Sequence, residues 1–301
     1  MTNPDIEAAL RRILDAQSDI NAALSEDDLD PGADEPVDPP SRLQHIDGGC
    51  PRLTAADVGG LLAVTYFGST YEGWPEALEA LADPAVAPWI GSLKIDGPDE
   101  GANGMATWDF ASLIERAPAF PRLTQLTIPQ SDTGDHNQKA VEDDQSPALL
   151  ALMPRLTDLV LPQPPEPGFF DLDLPDLQRL RTGRDFRTRG FIGRLAEAKR
   201  LPRLYFFDFS DSLSPVMEVE PGGDAEWNST PMEDYLRLFR SSFMDQIRAA
   251  RLRNTRLSET QFRELRALRP DVQLSVALDA PHVYVAHWGA TNFPHAHLLL
   301  S

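Results

Sequence analysis

Pro121-Arg122-Leu123-Thr124-Gln125-Leu126-Thr127-Ile128 recurs as Pro154-Arg155-Leu156-Thr157-Asp158-Leu159-Val160-Leu161. The phrase returns as Pro175-Asp176-Leu177-Gln178-Arg179-Leu180 and as Pro202-Arg203-Leu204-Tyr205-Phe206-Phe207-Asp208-Phe209. With the leucine after Pro-Arg numbered position 1, apolar side chains fall at positions 1, 4 and 6. Such self-similarity marks a repeat architecture, in which one short strand is reused many times. Extending the phrase in both directions gives six strand cores. They are Ile90-Leu93-Ile95, Leu123-Leu126-Ile128, Leu156-Leu159-Leu161, Leu177-Leu180-Thr182, Leu204-Phe207-Phe209 and Ile247-Ala250-Leu252. Between successive cores lie intervals of 33, 33, 21, 27 and 43 residues.

The intervening segments carry helical patterns, for example Asp109–Ile114, Ser146–Met153 and Phe191–Leu195. Phe262, Leu265 and Leu268 continue the pattern after the last core. A strand of this kind turns positions 4 and 6 inward, and the next helix covers them. One unit alone leaves its apolar face bare, so the units must stack. Proline cannot extend the preceding helix, so it stops the helix ahead of the strand.

These residues resemble leucine-rich repeats, most like the ribonuclease-inhibitor type with alternating strand and helix. Ile247, Ala250, Leu252, Thr255 and Leu257 fit the family phrase L-x-x-L-x-L-x-x-N/C/T-x-L, and the stretch from Ser258 to Leu265 fits the family's helix. The resemblance covers residues 85–277. In the inner repeats the Asn/Cys slot holds Ser131, Pro164, Asp185 and Ser212 instead. The chain is also similar to a loose set of bacterial cytoplasmic proteins with degenerate repeats and a short β-rich tail. The resemblance implies an α/β fold: a short, irregular leucine-rich-repeat solenoid, its parallel sheet on the concave side and its helices on the convex side.

Composition narrows the function classes. The chain carries 27 Lys and Arg against 47 Asp and Glu, a formal net charge of -20. That field repels nucleic acid and anionic membranes. No apolar h-region follows the first basic residues, and no run is long enough to span a bilayer. A cytoplasmic protein is expected. One cysteine, Cys50, allows no intramolecular disulfide.

Five regions are expected. Residues 1–24 form an N-terminal helix, read as a mobile arm. Residues 25–41 form an acidic, proline-rich linker with seven acidic residues and four prolines, too polar to offset its ordering entropy. Residues 42–89 cap the repeats, with a buried strand around Leu61–Phe67 and a short helix placing Trp74, Leu78 and Leu81 on one face. The repeats run over 90–277, with acidic insertions at 130–146 and 211–234 looping out. Residues 278–301 close the far end as a β tail, centred on His282–Trp288.

Alternation along each strand exposes positions 3, 5 and 7 on the concave face. The candidate partner-binding residues are therefore Lys94, Gln125, Asp158, Arg179, Arg181, Phe206, Asp208, Arg251 and Arg253. Arginine and aromatic side chains dominate binding energy at interfaces, and a basic stripe suits an acidic partner protein. The bland alternative pairs these arginines with the acidic 211–234 insertion. No cofactor and no catalysis are expected, since no nucleophile, phosphate-loop or zinc motif is present. The alternative from another class is a metal-dependent enzyme or metal binder using His287, His295 and His297, because His-x-His on a strand points both rings one way.

Overall fold

The structure is a computed structural model and describes residues 3–27, 51–99, 104–131, 137–183, 188–211, 229–278 and 293–296. Cys50, the tail strand 282–288 and every histidine except His295 lie outside these residues.

The first strands, β1 (Arg52–Val58) and β2 (Leu61–Phe67), form an antiparallel hairpin. The remaining strands of the main sheet run parallel to β2: β3 (Ile90–Asp96), β5 (Gln125–Thr127), β7 (Asp158–Val160), β8 (Arg179–Gly183), β9 (Phe206–Ser210), β10 (Ala249–Arg253) and β11 (Gln273–Ala277). The missing numbers, β4 (Gly104–Trp108) and β6 (Asn137–Val141), pair with each other in a small second sheet. Spatial order in the nine-stranded sheet follows chain order. The fold is mixed α/β with a largely parallel sheet, and the register aligns the phrase itself. Leu93, Leu126, Leu159, Leu180, Phe207, Ala250 and Leu274 lie side by side.

One face of this sheet is roofed by helices: α1 (Pro4–Asp27), α2 (Trp74–Ala82), α3 (Ala111–Arg116), α4 (Gln145–Ala151), α5 (Phe191–Leu195), α6 (Met232–Arg240) and α7 (Glu259–Leu268). Each helix touches the next except α4 and α5, which a 3₁₀ turn at Pro167–Asp171 bridges. All eighteen residues of the six strand cores are buried, from Ile90 to Leu252, in one continuous core with the helices. Burial of side chains this size stabilises by about 1.5–3 kcal/mol each relative to exposure.

The phrase does more than stop a helix. The N–H at position 1 bonds back to the residue before the proline: Leu123 to Phe120 O, Leu156 to Met153 O, Leu177 to Leu174 O and Leu204 to Leu201 O. Proline thus occupies the second position of a β-turn, where its fixed φ is favoured. The residue ahead of it, Phe120, Met153, Leu174 or Leu201, is buried. Stacking also gives the phrase's second residue partners. The Arg122 guanidinium lies 4.3 Å over the Trp89 ring, while Arg155 and Arg203 both reach Asp176, at 2.9 and 2.7 Å.

Two expectations are corrected. The N-terminal helix is docked, not mobile: Ile6, Ala9, Ile13 and Ile20 are buried against β1 and α2. Its Gln17 amide donates to Pro51 O and accepts from Leu53 N. A side-chain amide thereby takes the place of a neighbouring strand at an otherwise open edge. The described part of the polar 130–146 segment, 130–131 and 137–146, does not loop out: β6 is buried along its whole length, and α4 begins at Gln145. Lys139 meets Asp96 at 2.9 Å, and Gln163 bonds both the N–H and the C=O of Val141. Trp108 of β4 packs edge-on to Tyr66 and Trp74 at 5.9 and 5.0 Å. Of the second insertion, residues 212–228 lie outside the described residues, and the described ends adjoin the core. Asp211 is fully buried, and Met232–Arg240 is helix α6, burying Tyr235, Leu238 and Phe239. A polar residue count misses these segments because their polar groups are paired inside the fold.

Candidate functional site

The face of the main sheet opposite the helices, uncovered by any helix among the described residues, carries positions 3 and 5 of each phrase, in lateral rows. Along position 3 the row is Ser92, Gln125, Asp158, Arg179, Phe206, Ala249 and Gln273. Along position 5 it is Lys94, Thr127, Val160, Arg181, Asp208, Arg251 and Ser275. Neighbouring residues in a row are about 4.8 Å apart, so charges on adjacent strands meet.

Several of the proposed docking groups are paired with one another. Lys94, by contrast, is paired outside that set, 3.3 Å from Asp96 on its own strand. Arg179 donates to Asp158, a contact that raises the arginine's pKa through the hydrogen bond first and the Coulomb attraction second. Arg181 approaches Asp208 at 3.6 Å. The carboxylates beside these arginines belong to neighbouring strands of the sheet; residues 212–228 lie outside the described residues.

Asp208 and Arg253 depart from the expected exposure. Arg253 is 1% exposed and Asp208 3%. Arg253 Nε donates to Asp208 Oδ1 at 2.5 Å, and its Nη2 donates to Gln130 Oε1 at 2.8 Å. Gln130 in turn donates to Gly183 O at 2.6 Å. A buried pair of this type must be fully hydrogen-bonded to be tolerated. These two residues form a post inside the fold rather than a contact surface. The exposed remainder is Lys94, Gln125, Arg179, Arg181 and Arg251, with Asp158 and Phe206 half-buried.

Arg251 stands apart. It is exposed on β10 and makes no ion pair with any described residue. Its register partner Asp208 is occupied by Arg253 on one side and faced by Arg181 on the other. Phe206 lies one strand from Arg179, in the row beside it. The patch on β8 to β10 is thus an aromatic centre with Arg179, Arg181 and Arg251 around it.

Sequence reasoning missed position 2, whose row is Thr124, Thr157, Gln178, Tyr205 and Arg248. Arg248 is exposed, and its guanidinium sits 5.9 Å from the Tyr205 ring centre. The signal was available, since the same phrase offset defines the row. It also missed the buried end of the second insertion. Asp211 accepts from Thr230 N and from Tyr235 OH, at 3.0 and 3.1 Å. Burial pushes the Tyr235 pKa well above its ordinary value, and the nearby Asp211 charge adds to the shift.

Of the proposed metal histidines, only His295 is described. It is buried, with Nδ1 3.0 Å from Leu257 O and its ring edge-on to Phe262. Among the described residues no group of three or more His, Cys, Asp or Glu is placed to hold a metal ion. No helix among them is long and apolar enough to cross a membrane. No family model matches the chain, and a search of curated proteins finds no match.

Proposed function

We propose that the chain is a non-catalytic, leucine-rich-repeat-like interaction scaffold that binds an acidic partner protein on the uncovered sheet face. The leucine rows, the strand order following chain order and the turn-forming Pro-Arg-Leu phrase support the repeat reading. The observation that carries the docking reading is the arginine and aromatic cluster on β8 to β10. Arg251 is left without a carboxylate among the described residues, in a chain whose net charge is -20. An exposed guanidinium held on a rigid strand is suited to pairing with a carboxylate from outside. Burial of Arg253 with Asp208 narrows the docking set to Arg179, Arg181, Phe206 and Arg251, with Lys94, Gln125 and Asp158 at its margin. An adaptor for an enzyme and an inhibitor that plugs a toxin both fit such a surface, and both act in the cytoplasm.

The test is a pull-down from the native host followed by mass spectrometry. The variant Arg179→Glu with Arg251→Glu is expected to lose the captured partner without a lower melting temperature. Capture that survives both reversals refutes the docking face.

A further inference from the structure

The groove at the head of strands β8 to β10 lies just beyond this patch. It has a volume of about 530 Å³ and is lined by Gln178, Pro202, Arg203, Tyr205, Asp245, Gln246 and Arg248. Its size is that of a pocket for a few side chains rather than a whole domain. Most charges around it are already matched. Arg203 binds Asp176 at 2.7 Å, and Asp245 is held by Arg269 at 2.6 Å. Gln246 Nε2 donates to Leu201 O at 2.8 Å. Arg248 has no carboxylate among the described residues; its guanidinium rests beside the half-buried Tyr205 ring.

The groove adjoins the docking patch along the chain, since its lining residues Tyr205 and Arg248 immediately precede β9 and β10, which carry Phe206 and Arg251. Tyr205 and Phe206 are adjacent at the head of β9, and Arg248 and Arg251 are three residues apart at the head of β10. Three residues of extended chain span about 10 Å. The Cα atoms of Arg248 and Arg251, the two arginines without carboxylates among the described residues, therefore stand about 10 Å apart along the chain, and the Arg248 N–H bonds to Tyr205 O.

We infer that this groove and the adjoining end of the docking patch take an acidic peptide segment of the partner, one carboxylate on Arg248 against Tyr205, a second on Arg251 in the patch, and an apolar side chain over Phe206. The inference rests on the docking reading above and extends it to a residue that reading does not need. A peptide is favoured over a nucleic acid by the surrounding charge. Asp176 and Asp245 border the groove, and the net charge is -20. A continuous phosphate chain would face those carboxylates, whereas two discrete carboxylates need not.

The probe is the tripeptide acetyl-Glu-Phe-Glu-amide, titrated into the whole ¹⁵N-labelled protein while the arginine Nε–H signals are followed by NMR. The Arg248 and Arg251 signals are expected to shift together with one half-saturation point. Arg248→Ala is expected to raise that point about tenfold, the loss of one charge-assisted hydrogen bond. Arg248→Lys should retain part of the affinity, and acetyl-Gln-Phe-Gln-amide should leave both signals still. Shifts confined to Arg251, with Arg248→Ala titrating as the parent, overturn the groove while leaving the docking face standing. No shift at either arginine counts against both. Tighter binding of a ten-residue thymidine oligonucleotide than of the tripeptide overturns the peptide assignment.

Discussion

Replacing Arg253 with alanine tests the division between post and docking surface. Arg253 and Arg251 share strand β10, two residues apart, and differ in what surrounds them. Arg253 is 1% exposed and holds both Asp208, at 2.5 Å, and Gln130, at 2.8 Å. Truncation leaves Asp208 in a buried site with Arg181 at 3.6 Å as its remaining ion-pair partner among the described residues. It also strands the Gln130 carbonyl. Removing one partner of a buried pair costs about 3–5 kcal/mol, which for a chain of this size corresponds to a fall in melting temperature of roughly 5–8 °C. Arg251→Ala, at an exposed position, should change stability by less than about 0.5 kcal/mol. Urea denaturation followed by circular dichroism measures both. A second variant, Arg253→Met with Asp208→Leu, removes both charges together. It should recover much of the loss, because the penalty lies in the uncompensated carboxylate rather than in the missing arginine. Equal costs for Arg251→Ala and Arg253→Ala would refute the assignment of Arg253 to the interior.

Other substitutions examine the remaining parts. Leu159→Ala, at the centre of the aligned leucine row, should lose about 2–5 kcal/mol in the same denaturation assay. Gln17→Ala should cost about 1 kcal/mol by freeing the edge of β1, and Gln17→Glu should cost more, since a carboxylate cannot donate to Pro51 O. Tyr235 is protonated in the fold beyond its ordinary pKa of 10. Above that pH the unfolded chain releases its phenolic proton while the folded chain keeps it, so stability falls with rising pH. Tyr235→Phe should flatten that alkaline decline in melting curves recorded from pH 9 to 11, while losing the hydrogen bond to Asp211 at every pH.

Much of the strand layout was legible because the phrase repeats. Positions 4 and 6, two residues apart, share one face of a strand, position 1 is buried from the turn ahead of it, and the structure buries every one of those positions. Trp74, Leu78 and Leu81 were legible for the same reason, through helical spacing. Strand β1 was not, since its Arg52–Val58 run offers one buried residue, Leu53, and takes its place by pairing with β2. The short strand β6 was hidden by its composition, Asn137-Gln138-Lys139 reading as loop until β4 and Gln163 supply its hydrogen bonds.

The candidate site divides along the same line. The alternation of each strand by itself placed Arg179, Arg181, Phe206 and Arg251 on one face, because a period of two leaves no choice. Which of those charges stay available was decided by neighbours far away in the chain. Arg253 sits at an outward position by count, yet Gln130, more than a hundred residues earlier, reaches over and takes it inside with Asp208. Periodicity is a local property of the backbone, readable from a few consecutive residues. Pairing of charges depends on distances between strands, and only the assembled sheet sets those.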